Sequence, residues 1–306
     1  MRASGARRAS RAGSDGTADL RNRSALVTGA TSGIGFSTAR RLAAQGATVL
    51  VTGRDPRRGS EAANELRRAA GHERVEFIRV DHATVAANLE LAEELQSRLD
   101  RLDVLVNNVG GLVPSRVTTG DGYELTLALN FVAPFVLTRS LLPLMLASDP
   151  ARLINVISSA FTMAKGDPLD DPQSEQTYAP LRVLARAKLL ALVWTAALAD
   201  QQRGSRLSAV AVNPGMAWTP GTQALTPDAV PAWRYVWPIV RFFQRRADPD
   251  HAAASCTALV IAPASDLAGR YFDGRKPHPL PGRVLDPDLR ERVLRLGQDL
   301  ADRAAG

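Results

Sequence analysis

Apolar and β-branched residues cluster in short runs along the chain, and each run gives way to a longer stretch with helical spacing. The runs are Ala25 to Thr28, residues 47–52, Val75 to Val80, Leu102 to Val106, Arg152 to Ile157, Leu207 to Val212 and a short piece near Tyr271-Phe272. None is longer than six residues, and they show almost no polar alternation, which is how strands buried on both faces read. Between them, apolar spacing predicts helices from Ile34 up to Gly46, over 59–70, 86–99, 122–147 and 181–201. Strand alternating with helix throughout predicts an α/β fold with a doubly wound parallel sheet of seven strands. The pattern has no internal repeat and no domain boundary, so one domain over 21–306 is expected.

The first strand runs into Gly29-Ala30-Thr31-Ser32-Gly33-Ile34-Gly35 and then into a helix. Such a turn gathers backbone N–H groups at the positive end of a helix, which makes an anion site suited to a pyrophosphate. Gly29 permits the tight turn, Gly33 the close approach of phosphates, and Gly35 the packing of helix on strand. The second strand ends in Gly53-Arg54 rather than in a carboxylate. A carboxylate there would accept from both ribose hydroxyls, whereas an arginine would meet a 2′-phosphate, so NADP(H) is the expected cofactor. Asp81, at the end of the third strand, is placed to accept from the adenine amino group or to cap the helix that starts near Thr84. His82 follows it in the same candidate cofactor stretch.

Composition narrows the class further. Of 306 residues, 45% are hydrophobic and 23% charged, and no uninterrupted apolar run reaches the roughly 18 residues of a membrane span. Residues 1–23 hold six arginines against Asp15 and Asp19, which is +4 of the net +7. Residues 1–20 therefore read as a disordered basic tail without the apolar segment of a secretory signal, and the rest is too mildly basic for a nucleic-acid surface. Cys256 is alone and the four histidines are scattered, so neither a disulfide nor a metal site is expected. A reducing, cytoplasmic setting follows.

Taken together, Thr28-Gly29-x-x-x-Gly33-Ile34-Gly35, Asn107-Asn108-Val109-Gly110, Asp121-Gly122-Tyr123-Glu124 with Asn130, Asn155-Val156-Ile157-Ser158, Lys188-Leu189, Pro214-Gly215-x-x-x-Thr219 and Gly269-Arg270-Tyr271-Phe272 resemble the short-chain dehydrogenase/reductase family, in its retinol-dehydrogenase-like branch. The resemblance spans about residues 21 to 300. It implies a single seven-stranded Rossmann domain and hydride transfer between a nicotinamide and a carbonyl or alcohol. It also implies that Asn130 holds a water of the proton relay, that Ser158 bonds the substrate oxygen and that Lys188 binds the nicotinamide ribose. Thr31, Ser32, Ile34, Asn108 and Gly110 would line the cofactor, and Pro214, Gly215 and Thr219 would seat the nicotinamide.

One departure bears on the chemistry. The family places its acid/base tyrosine four residues before the lysine, and this chain has Leu184 there. A positioned acid contributes about 10²–10⁴-fold to such a reaction, and leucine has no proton to give. The substitutes are Ser158, a water bound by Lys188 and Asn130, Tyr178 or Tyr235; the lysine-bound water is the preferred donor. Residues 216–250, with Met216, Trp218, Trp233, Tyr235, Trp237, Phe242 and Phe243, would form either a lid over a bulky hydrophobic substrate or an apolar patch for a dimer or membrane surface. Three functions stay open: a reductase of large hydrophobic carbonyls, an enzyme of non-redox chemistry such as a cyclase, isomerase or lyase, and a redox-dead NADP-binding protein. The expected partners are a small hydrophobic substrate and further copies of the chain, as a dimer or tetramer built on helices 122–147 and 181–201, with no integral membrane segment.

Overall fold

The structure, a computed structural model, describes residues 18–215, 217 and 247–304. One sheet runs through it: β1 (Ser24–Val27), β2 (Thr48–Gly53), β3 (Val75–Arg79), β4 (Val104–Asn107), β5 (Ala151–Val156), β6 (Leu207–Asn213), β7 (Arg270–Asp273) and β8 (Lys276–Pro279). Their spatial order is β3-β2-β1-β4-β5-β6-β7-β8. The chain winds outward from β1 to β3 and then returns to place β4 beside β1. That reversal opens a crevice at the carboxyl ends of β1 and β4, where open α/β sheets bind ligands.

The expected seven parallel strands become eight with one antiparallel pair. Asp273 pairs with Lys276 across the two-residue loop Gly274-Arg275, and Gly274 takes φ 59°. Glycine at the first position of a two-residue loop is a hairpin signal, because it supplies the left-handed conformation that the tight turn requires. The strand it creates, Lys276-Pro277-His278-Pro279, has too few apolar residues to read as a strand. Its two prolines suit an edge that pairs on one side only.

Among the described residues the seven long helices are α1 (Gly33–Ala44), α2 (Pro56–Ala70), α3 (Val85–Arg98), α4 (Leu125–Leu146), α5 (Pro180–Gln201), α6 (Pro249–Ile261) and α7 (Pro287–Arg303). Successive strand residues serve opposite cores. Leu26, Leu105 and Leu153 join the core under α3, α4, α5 and α7. Val27, Val106 and Ile154 join the other, under α1 and α6. Covering both faces is why the strands read as unbroken apolar runs.

Two helices correct the expectations. Helix α4 starts at Leu125 rather than near Gly122, and residues Ala128–Val132 form a π-helical turn inside it. By length and composition α4 could cross a membrane, with a mean hydropathy of 1.6, which the search for uninterrupted apolar runs missed; 72% of that window is buried in the fold. Helix α7 lies across α4 and α5. Gly297 faces the Phe135 ring so closely that a Cβ would come within 2.5 Å of it. Tyr123 donates to the Leu300 carbonyl, and Arg290 pairs with Asp200 at 2.6 Å. The helix faces expected to carry self-association are thus partly occupied by the chain's own α7. The basic tail over 1–17, Thr219 and nearly all of the expected lid lie outside the described residues.

Candidate active site

The glycine turn leaves β1 with Gly29 at φ 63° and reaches α1 with Gly33 at φ 61°. At Gly35 a Cβ would lie 2.4 Å from Asn108 Nδ2 and 2.7 Å from the Gly29 carbonyl, so only glycine fits. Ser32 occupies the N-cap of α1, yet its side chain caps nothing, and the first turn has no acid. The other helices are served differently. Asp55, Thr84, Glu124, Asp248 and Asp286 cap α2, α3, α4, α6 and α7, and α5 begins on proline. Among the described residues no acceptor takes the N–H groups of Gly33, Ile34 or Gly35. A helix start left with free donors at a strand end is built for an anion from outside the chain.

Two further residues hold the turn. Asn108, from β4, donates to the Thr28 and Gly29 carbonyls at 2.9 and 3.2 Å. Thr52, from β2, accepts from the Gly29 N–H through Oγ1 at 3.2 Å and from the Ala30 N–H through its carbonyl at 3.0 Å. Behind Thr52 lies His82, buried, with Nε2 2.7 Å from Thr52 Oγ1 and Nδ1 2.6 Å from Asn88 Oδ1. Burial lowers its pKa, with hydrogen bonding to Asn88 opposing, so the ring is neutral at pH 7. His82 was expected to line the cofactor; both its nitrogens are instead taken by protein, one shell behind the turn. Asp81 is exposed, and its carboxylate accepts from the Ala83 N–H at 3.1 Å. Thr84, not Asp81, caps α3. Gly53 has its own reason to lack a side chain, since a Cβ would meet the Thr31 methyl at 2.5 Å. Arg54 is exposed at the end of β2, and its guanidinium has no protein partner among the described residues.

The other candidates gather across the crevice. Asn107 and Asn155 join β4 to β5 through a 2.8 Å side-chain bond, and Asn155 donates on to Thr195 at 2.7 Å. Asn130 sits in the π-helical turn of α4, a distortion common at functional sites. Its amide nitrogen donates to the carbonyls of Thr126 and Gly111, at 2.7 and 2.9 Å, and its oxygen accepts from the Gly111 N–H at 3.2 Å. A Cβ on Gly110 would lie 2.5 Å from Asn130 Oδ1 and 3.3 Å from Lys188 Nζ. Gly110 therefore lets these two polar atoms approach the strand end together.

Lys188 is buried on α5 and, among the described residues, makes one hydrogen bond, from Nζ to the Val156 carbonyl at 2.7 Å. Burial lowers its pKa to about 8. Ser158, just past β5, accepts from the Ala160 N–H at 3.2 Å and starts the 3₁₀ turn Ser159–Met163. Leu184 is one helical turn before Lys188 and half-buried on the same face. Among the described residues Tyr178 makes no hydrogen bond to Asn130, Ser158 or Lys188. Its hydroxyl donates to the Val113 carbonyl at 2.8 Å and lies 3.4 Å from a Glu124 carboxylate oxygen, and burial raises its pKa. Among the described residues no tyrosine hydroxyl bonds to Lys188; Tyr235 lies outside them. Pro214 and Gly215 follow β6, with Gly215 at φ 87°.

Sequence reasoning missed Thr52 and Asn88, whose roles depend on which strand ends neighbour each other. It also missed the links of Tyr178 to Val113 and to Glu124. A buried acid in Asp121-Gly122-Tyr123-Glu124 was the available signal for the latter.

Residues 23–167 match the family model for short chain dehydrogenase. The chain is 33% identical over 300 residues to dehydrogenase/reductase SDR family member 13 of Bos taurus, covering 95% of this chain and 76% of that one. It is 30% identical over 265 residues to human retinol dehydrogenase 13, covering 85% and 78%. A solved structure, the Pseudomonas aeruginosa RhlG/NADP active-site complex, matches with a TM-score of 0.64 at 29% identity, covering 83% of this chain and 95% of that one.

Proposed function

The chain belongs to the short-chain dehydrogenase/reductase family, and from that premise we propose that it is an NADP(H)-dependent reductase of bulky hydrophobic carbonyls whose proton comes from Lys188. The observation that supports this most directly is the uncapped start of α1 beside Arg54. Free N–H groups of Gly33, Ile34 and Gly35 suit a pyrophosphate, and the unpaired Arg54 guanidinium suits a 2′-phosphate. NADP is bound by the RhlG neighbour of known structure. Gly110 keeps the floor of the crevice open for a flat ring beside Asn130 and Lys188. The residues present therefore fit the cofactor.

When bound, NADPH supplies a hydride to the carbonyl carbon. The chain must hold the carbonyl oxygen and protonate it. Ser158 is the hydrogen-bond donor to that oxygen. Where the family has a tyrosine, Leu184 offers none, and the buried Lys188 ammonium takes over as proton source through a water it binds with Asn130. A pKa near 8 suits the task, because the group is charged at neutral pH yet gives up its proton readily. Solvent then restores the proton. A large apolar substrate agrees with the name of the retinol dehydrogenase relative and with the aromatic residues of 216–250.

Leu184 also favours a second reading, non-redox chemistry on a retained nucleotide fold. Purified protein incubated with NADPH and a panel of hydrophobic ketones separates the two by loss of the 340 nm absorbance. Turnover abolished by Lys188→Ala supports the reductase. Silence of the wild type, with turnover appearing in Leu184→Tyr, supports the second reading.

A further inference from the structure

We propose that His82 is a positioning residue for the glycine turn: through Thr52 it fixes the Gly29 amide and so sets the affinity of the nucleotide site. This deepens the reading of that site and rests on it. The chain of bonds can be followed atom by atom. Asn88 Nδ2 lies 2.6 Å from the Thr84 carbonyl and 3.3 Å from the His82 carbonyl, and only an –NH₂ group serves both. That fixes the amide orientation, so Asn88 Oδ1 must accept. His82 Nδ1 then carries the ring proton, and Nε2 is left as an acceptor. Thr52 Oγ–H donates to Nε2 and its lone pairs turn to the Gly29 N–H.

Each group has one role available to it, and the order runs from the helix α3 residue to the turn. Gly29 is the residue whose left-handed backbone starts the turn, so its orientation decides where the free N–H groups beyond it point. His82, Asn88 and Thr52 are all buried, at 3%, 0% and 0% exposure, in a low-dielectric setting where a lost partner is costly. The Arg54 and Gly33-to-Gly35 contacts proposed for the cofactor do not include any of the three. Their effect on binding is therefore indirect, and it is separable from the proton chemistry at Lys188.

The test uses Thr52→Val, which keeps shape and removes the hydroxyl. NADPH affinity by calorimetry should weaken at least tenfold, while kcat at saturating NADPH stays within about twofold, and Thr52→Ser should restore affinity. His82→Leu should match Thr52→Val. Wild-type affinity in Thr52→Val, or a fall in kcat as large as the fall in affinity, overturns the inference. If neither variant folds, long-range ¹H–¹⁵N spectra of the wild type decide: a neutral His82 protonated at Nδ1 supports the relay, and a proton on Nε2 overturns it. If the wild type itself binds no NADPH, the reading of the site fails and takes the inference with it. Binding by the wild type with unchanged variants sinks the inference alone.

Discussion

The two sides of the crevice are built to different standards. On the β1–β3 side every backbone group of the turn is either held or deliberately free. Thr52 and Asn108 hold Gly29 and its neighbours, and the start of α1 is left uncapped. On the β4–β6 side both amide hydrogens of Asn130 are taken and its oxygen keeps a lone pair free, while among the described residues Lys188 has a single partner and the residue one turn before it is aliphatic. Recognition of a ligand needs many modest donors at fixed positions, and losing one leaves the rest. Proton transfer needs one group at one place. The first kind of site tolerates drift and the second does not, so a single substitution costs the proton chemistry far more than it costs binding.

The comparison breaks first at Lys188. Lys188→Met should lower kcat for ketone reduction about 10³-fold, within the range for a lost acid, while calorimetric NADPH affinity changes less than tenfold. Equal losses in both would erase the division between the sides. Leu184→Tyr should raise kcat about 10²-fold with little change in affinity, because it returns a phenol beside Lys188. Gly35→Ala should act in the opposite sense. Its Cβ meets Asn108 and the Gly29 carbonyl, so unfolding stability should fall by about 1–3 kcal/mol and NADPH affinity should fall with it. Arg54→Ala should weaken NADPH about tenfold and leave NADH unchanged, read by titration of both coenzymes. The smallest effect is on pH. Reduction uses the charged form of Lys188, which is lost as pH rises through about 8, so kcat should roughly halve between pH 7 and 8 and keep falling above it.

How far the sequence reached differs in the same way between the two sides. The turn and its glycines could be read directly, because strand, turn and helix are contiguous and each glycine has a local cause. Thr52, His82 and Asn88 could not, since they meet only when β2 and the start of α3 come together. His82 was therefore assigned to the ligand, whereas both its ring nitrogens bond to protein. Asn130 stood out as a polar residue in an apolar helix, yet the π-helical turn around it leaves no mark in the apolar spacing. Tyr178 looked like a spare acid by proximity in sequence, and the loop bonds to Val113 and Glu124 point it elsewhere. The eighth strand was announced by Asp273-Gly274 and hidden by its prolines.

The widened turn at Ala128–Val132 has a consequence for how such a chain can change over generations. A π-helical turn holds one more residue than the α-helix around it, and the flanking stretches keep their faces. Loss of a single codon there would straighten α4, leave Phe135 and Leu141 against the core, and carry the Asn130 amide away from Gly111. A lineage could thus discard its chemistry and keep its architecture in one mutational event.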